Sequence, residues 1–220
     1  MQQDDVKAYL KANPEFFEEN ASFLAEIKLP SPHGSGTISL AERQQLAQRD
    51  KIDALKTNFT ELVINAREND TITNKIHMLN IALHKAKNFD TIEQLISDTL
   101  PEDFNLSETC LRIWANPLDS RNRANLVFNS VTEAQKVWVA ALAQPYCGEP
   151  PAIITDDCFI ESAASVALVP LYIADNIGFL ALASADKNHF FAEMGTDFLT
   201  KIGDIISAAL SRHLELSESI

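Results

Sequence analysis

The chain has 220 residues, 46% of them hydrophobic and 22% charged, the makeup of a soluble globular protein with room for one full domain and an accessory segment. Its formal net charge is −13, and the acidity is evenly spread: residues 1–70 hold 8 Lys and Arg against 12 Asp and Glu, residues 71–220 hold 10 against 19. Binding to a phosphate backbone or an anionic membrane needs a concentrated basic face, so this balance argues against bulk nucleic-acid binding and against a membrane role.

No stretch of about 18 apolar residues occurs, so no transmembrane helix is predicted. Met1 to Asp5 is acidic and polar with no apolar run behind it, unlike a signal peptide. Cys110, Cys147 and Cys158 form no CxxC and no zinc spacing, and an odd count without a signal predicts reduced thiols in the cytoplasm.

Three regions are predicted, 1–37, 38–70 and 71–216. In the first, Val6, Tyr9 and Leu10 share one face of a short helix, and Asn13-Pro14 caps and opens a second. Phe16, Phe17, Phe23, Leu24 and Ile27 supply a small apolar cluster. Leu29 to Thr37, with two prolines and two glycines, reads as a linker. In the second region Ser39-Leu40-Ala41-Glu42 matches a capping box. A long helix is predicted from about Leu40 to Lys87, with Asn69-Asp70-Thr71 as the place where it would break. Ile52, Leu55, Phe59, Leu62, Ala66, Asn69, Thr73, Ile76, Asn80 and Leu83 alternate in spacings of three and four, an a/d heptad seam with polar interruptions. Its apolar part, Ile52, Leu55, Phe59, Leu62 and Ala66, is the candidate homodimer interface.

The third region reads as an α+β domain. Ile92 to Leu100 continues a helix that Pro101 ends. Cys110 to Ala115 is a strand, Asn116 to Asn125 a polar loop, and Leu126 to Ser130 a short second strand. Thr132 to Ala143 is helical, and Ala152 to Thr155 is a short extended piece. Ser165 to Ile173 and Ile177 to Ser184 are apolar runs joined by Ala174-Asp175-Asn176, so they must pair antiparallel. Ala192 to Leu214 closes the chain with helical periodicity.

This order resembles a GAF domain, most clearly in Cys147-Gly148-Glu149-Pro150, Val166 to Tyr172 and Ile177 to Leu182. The resemblance is closer to the bacterial family called domain of unknown function 484. It is carried by Val6 to Phe17 (VKAYLKANPEFF), Ile38 to Gln44 (ISLAERQ), Leu62 to Asn69 (LVINAREN), Pro145 to Gly148 (PYCG) and Gly195 to Leu199 (GTDFL), in that order. Pro30-Ser31-Pro32-His33 departs from the simpler Pro-His expected there. The resemblance implies a GAF-like antiparallel sheet flanked by helices and preceded by a helical region, a fold shared with ligand sensors. It names no cofactor and no reaction.

The candidate ligand-binding residues are Arg112, Trp114, Cys147 and Cys158. Arg112 and Trp114 share a strand face, where a guanidinium fork could hold an anion and an indole could stack on a ring. The competing reading puts Arg112 on a solvent-exposed face. Arg121 and Arg123, in the polar loop, read as solvated. The GAF resemblance also raises a thiol-based reductase of the free methionine sulfoxide type using Cys147 and Cys158. Against it, Asp156, Asp157 and Glu161 surround Cys158 and would disfavour a thiolate. On the competing reading Cys110 and Cys147 are structural and Cys158 is incidental. His77 and His84 lie seven apart rather than the four usual for a metal pair on a helix. Thr196 is read as the cap of the final helix, accepting backbone amides. No Gly-rich phosphate loop or nucleophile elbow occurs. The expected function is therefore a non-enzymatic, homodimeric sensor or binding protein for a small molecule or a protein partner. The reductase and a pure interaction scaffold are the alternatives.

Overall fold

The structure, a computed structural model, describes residues 2–31, 37–158 and 163–215. The chain divides into two compact units, Met1–Glu68 and Asn69–Ile220. Among the described residues no helix is long and apolar enough to cross a membrane.

The first unit opens with three short helices, α1 (Gln3–Ala12), α2 (Glu15–Glu19) and α3 (Ala21–Glu26). Asn13 closes α1 twice over, with its backbone amide and its Nδ2 both donating to the Tyr9 carbonyl, and Pro14 then leads into α2. The aromatic residues read as a cluster do not form a buried core. Phe16 and Phe17 meet edge to face at 5.9 Å, but Phe17 and Phe23 remain exposed, Phe23 by 55%. The segment read as a linker has paired ends. Strand β1 (Lys28–Pro30) lies antiparallel to β2 (Thr37–Ser39), and the Arg43 guanidinium donates to the Pro30 carbonyl at 2.5 Å. Pro32, His33, Gly34 and Gly36 lie outside the described residues.

Helix α4 (Leu40–Lys85) follows directly. Its capping box forms as the sequence predicts: the Ser39 amide donates to Glu42 at 2.8 Å and the Glu42 amide donates to the Ser39 hydroxyl at 3.3 Å. The Ser39 amide first, and then its hydroxyl, both donating to the carboxylate, hold the Glu42 carboxyl below its usual range. The expected break at Asn69-Asp70-Thr71 does not occur. Asn, Asp and Thr each lower helix propensity by only about half a kcal/mol, too little to end a helix that contains neither proline nor glycine.

The second unit is built on a four-stranded antiparallel sheet of β3 (Glu108–Ile113), β4 (Tyr146–Gly148), β5 (Ser165–Tyr172) and β6 (Asn176–Ser184), in the order β3-β6-β5-β4. Both faces are covered, so β5 and β6 are apolar along nearly their whole length rather than alternating. On one face Leu111, Ile113, Val169, Leu180 and Leu182 join a core supplied by α4 (Ile76, Leu79, Leu83), α5 (Phe89–Gln94) and α9 (Asp197–Leu210). On the other, Cys110, Leu168, Phe179 and Ala181 pack against Val139 of α7 (Glu133–Ala140) and against Ile154 and Cys158 of α8 (Ala152–Cys158).

Four local readings are corrected. Pro101 does not end the helix after Ile92. A wide turn over Leu95–Thr99 precedes α6 (Leu100–Phe104), which accepts Pro101 in its first turn and ends at Asn105 in the left-handed conformation, φ 53°. Leu126–Phe128 is a helical turn, not a strand, because the Asn125 side chain accepts the Val127 amide and closes it. Ala152–Cys158 is helical rather than extended, opened by Pro151, whose fixed φ suits a helix start and whose carbonyl accepts the Ile154 amide. Helix α9 begins at Asp197, after a turn closed by the Met194 amide on Phe191, and ends at Leu210. Leu214 instead bridges to Pro117.

At Gly178 of β6 the backbone passes so close to β3 that any Cβ would press on the Arg112 carbonyl, a backbone atom with no freedom to yield. Gly178→Ala is expected to lower unfolding stability by about 1–3 kcal/mol, the range for overpacking a core. Urea unfolding of the variant beside the unmodified chain measures it.

Candidate functional site

Strand alternation turns Cys110 and Arg112 toward α7 and α8, while Leu111 and Ile113 enter the opposite core. Arg112 is therefore half-buried, not on an open face. It lines a crevice with Ser130, Gln135, Ile154, Cys158 and Phe179, where the free space is only about 10 Å³, the room of a single water. Its guanidinium donates to the Leu111 carbonyl at 3.0 Å. The buried Gln135 side chain donates to the Ile153 carbonyl at 2.8 Å, binding α8 to α7 over the crevice.

Trp114 stands just past the end of β3. Its amide donates to the Ile177 carbonyl at 3.0 Å and its indole Nε1–H to the Asn176 carbonyl at 2.7 Å, so the ring is fixed to the β5–β6 turn. Its centroid lies 6.5 Å from that of Phe179. The half-buried ring borders an open groove of about 330 Å³, whose wall also includes Arg123, Phe128, Asn129, Ser130 and Lys136. Among the described residues no Asp or Glu lines this groove. Lys136 is held by Glu133 at 2.7 Å. Ser130 and Val131 line both this groove and the Arg112 crevice.

The loop's two arginines differ in a way that the sequence did not signal. Arg121 is clamped by Asp119, with Nε and Nη2 on one carboxylate oxygen at 2.9 and 2.5 Å. That bond lowers the Asp119 carboxyl to about 2 and raises the guanidinium. Both border a second, larger groove of about 760 Å³ with Lys87, Asp90 and His213, where acid and base balance. Burial, with Arg212 nearby, holds His213 below the ordinary imidazole range. Arg123 points to the other groove and forms no ion pair among the described residues. The available clue was its spacing: two residues from Arg121 on a loop that leaves the strand bearing Trp114.

The cysteines depart from the expectation of three reduced thiols. Cys110 and Cys158 are joined in a disulfide, with Cα atoms 5.5 Å apart, and Cys147 is free and buried. Cys147 faces the α4–α9 side of the sheet and Cys158 the α7–α8 side, so the pair invoked for a reductase is separated by the sheet itself. Desolvation pushes the Cys147 thiol up to about 11, away from thiolate character at neutral pH. Glu161, read as a neighbour of Cys158, lies outside the described residues. Thr196 stands at the start of α9, but its hydroxyl meets Gln144 at 3.2 Å instead of accepting helix amides. His77 and His84 are exposed on α4.

The five seam residues lie on α4 and all are exposed. Ile52 retains 50% of its surface, Leu55 59%, Phe59 67% and Leu62 66%, and Ala66 is also exposed. Asn69, Thr73 and Asn80 are exposed too, whereas Ile76 and Leu83 of the same pattern are buried.

Two outcomes follow from the cysteine arrangement. The denatured, unreduced chain is expected to show one titratable thiol and the reduced chain three; three before reduction would refute the cross-link. In the folded protein Cys147 should react with a thiol reagent far more slowly than a free cysteine at pH 7. Because its folded pKa is raised, its contribution to stability is intact below about pH 9 and is lost as pH climbs through about 11.

A family model described as protein of unknown function, DUF484, matches residues 1–215. The chain is similar to proteins named uncharacterized protein YigA. It is 25% identical over 217 residues to that of Salmonella typhimurium strain LT2 and 26% identical over 216 residues to that of Escherichia coli strain K12, each match covering 96% of this chain and 91% of the relative. With the family match running through both units and every strand described above, the chain belongs to the DUF484 family.

Proposed function

We propose that this protein is a non-catalytic binding module, GAF-like in its second unit, that works as a homodimer joined through α4. The observation that carries the reading is the exposed stripe of Ile52, Leu55, Phe59 and Leu62 on an uninterrupted helix. Scattered apolar surface residues are ordinary, but four in strict three-four spacing form a continuous strip. The occupant that fits is a second copy, since an a/d strip is complementary to itself and supplies both the knobs and the holes. Fully burying a Leu, Ile or Phe side chain contributes about 1.5–3 kcal/mol, so partial burial of four from each chain is enough to drive pairing. Small Ala66 and polar Asn69 then narrow the strip, which favours one register over sliding alternatives.

A purely structural scaffold is the second reading. The crevice at Arg112 favours it, being too small for a ligand as it stands.

Sedimentation velocity or light scattering tests the dimer. The wild-type chain is expected at about twice its 24.4 kDa mass. Leu55→Glu combined with Leu62→Glu places charges in the strip and should give a folded monomer, because both side chains are exposed within one chain and do not support its core. A wild-type monomer at about 100 µM, weaker than any dimer this strip should form, would sink the proposal.

A further inference from the structure

We propose that the groove beside Trp114 binds a small ligand made of a planar ring bearing one anionic group, a carboxylate or a phosphate. This inference rests on the reading of the protein as a binding module but does not depend on its dimerisation.

The argument begins with charge. The chain carries 31 Asp and Glu against 18 Lys and Arg, yet among the described residues the wall of this groove holds Arg123 and Lys136 and not one carboxylate. Glu133 takes up Lys136, so Arg123 brings the available charge. Arg121 is the internal comparison: on the same loop its Nε and Nη2 are paired with Asp119, whereas Arg123 has no such partner among the described residues. An exposed guanidinium on a concave wall presents the planar donor fork that matches a carboxylate or phosphate.

Placement comes next. A charged side chain on a loose loop makes a poor site, but this loop is anchored. The Asn122 amide donates to Asp119, the Asn125 amide to Asn122, and the Asn125 side chain to Glu93 at 2.5 Å. Arg123 therefore sits within one helical turn, Ser120–Ala124, and is followed by a second, Leu126–Phe128. Opposite it, the Trp114 ring is held by its bond to Asn176 and has little freedom to tilt. A fixed indole beside a guanidinium carried on an anchored loop suits a ring that stacks while its anionic group is gripped. Asn129 and Ser130, both exposed on the groove wall, offer further polar contacts. The groove, at about 330 Å³, falls at the small end of ligand sites, which fits one ring with one head group better than a dinucleotide.

The test uses the full-length protein and the indole N–H signals of its two tryptophans, Trp114 and Trp138, in a proton–nitrogen correlation spectrum. The probes are 4-hydroxybenzoate, phenyl phosphate and the uncharged 4-hydroxybenzamide. Either anion or both should move the Trp114 signal saturably and leave Trp138 in place, and a response to only one assigns the head group. Arg123→Ala should weaken that binding about tenfold, the value of one charge-assisted interaction, while Arg121→Ala leaves it within about twofold. The proposal is overturned if the amide competes equally, if Arg123→Ala binds like the wild type, or if neither anion saturates by about 10 mM, beyond which the affinity carries no specificity. Sedimentation of the same samples keeps the two proposals apart: a dimer with an unresponsive Trp114 refutes this inference alone.

Discussion

The second unit depends on one constraint, the burial of β6 on both faces while it is paired along both edges. Phe179 and Ala181 are required by the α7–α8 side, Leu180 and Leu182 by the α4–α9 side. A slip of one residue against β3 or β5 would exchange these sets, and it would also move Gly178 from the point where the β3 backbone leaves no room for a side chain. Register is thus fixed twice, by the apolar pattern and by a steric contact. Because β3 is in register with β6, the residue that follows β3 is placed as well. Trp114 arrives opposite the β5–β6 turn, and its indole locks onto Asn176.

The two layers that cover this sheet are unequal. The α4–α9 side holds most of the large buried side chains, with Arg212, just past α9, donating to the Leu83 carbonyl of α4 at 3.0 Å. The α7–α8 side is thin, and it is fastened by particular bonds: the Cys110–Cys158 cross-link from strand to α8, and Gln135 reaching from α7 to the Ile153 carbonyl. A thin layer held at discrete points leaves crevices at its margin, and the Arg112 crevice and the Trp114 groove both lie there, sharing Ser130 and Val131. The position of candidate sites therefore follows from how apolar residues are shared between the two faces.

What could be read in the sequence was what local chemistry decides. The Ser39–Glu42 capping box, the start of the long helix at Leu40, the antiparallel pair Ser165–Tyr172 and Asn176–Ser184, and the three-four apolar strip each follow from spacing within a few residues, whereas the helix's continuity through Asn69-Asp70-Thr71 does not. The misreadings have a common origin in short segments whose state depends on a single bond or on distant neighbours. Leu126–Phe128 looked like a strand by composition, but one Asn125 hydrogen bond closes it into a helical turn. Ala152 to Thr155 reads as extended by composition, but Pro151 opens a helix there. The pairing of Cys110 with Cys158 spans 48 residues and could not be chosen from three cysteines without the fold. For the candidate site, the shared face of Arg112 and Trp114 was legible from alternation. Which of Arg121 and Arg123 would be left unsaturated was not, because that depends on where Asp119 turns its carboxylate.

The acidity that argues against bulk nucleic-acid binding also shapes how a basic groove would act. An anion approaching a chain of net charge −13 meets repulsion at long range and attraction only near the guanidinium. Salt screens the two differently. At a Debye length of about 8 Å the distant carboxylates are largely hidden, whereas a contact pair on a concave wall is screened much less. Moderate salt should therefore weaken anion binding here less than it would at a basic surface patch, since it removes repulsion together with attraction. The same balance would give selectivity by size: a compact anion can enter the short-range field of Arg123, while a polyanion would keep most of its charge in the field of a chain whose net charge is −13.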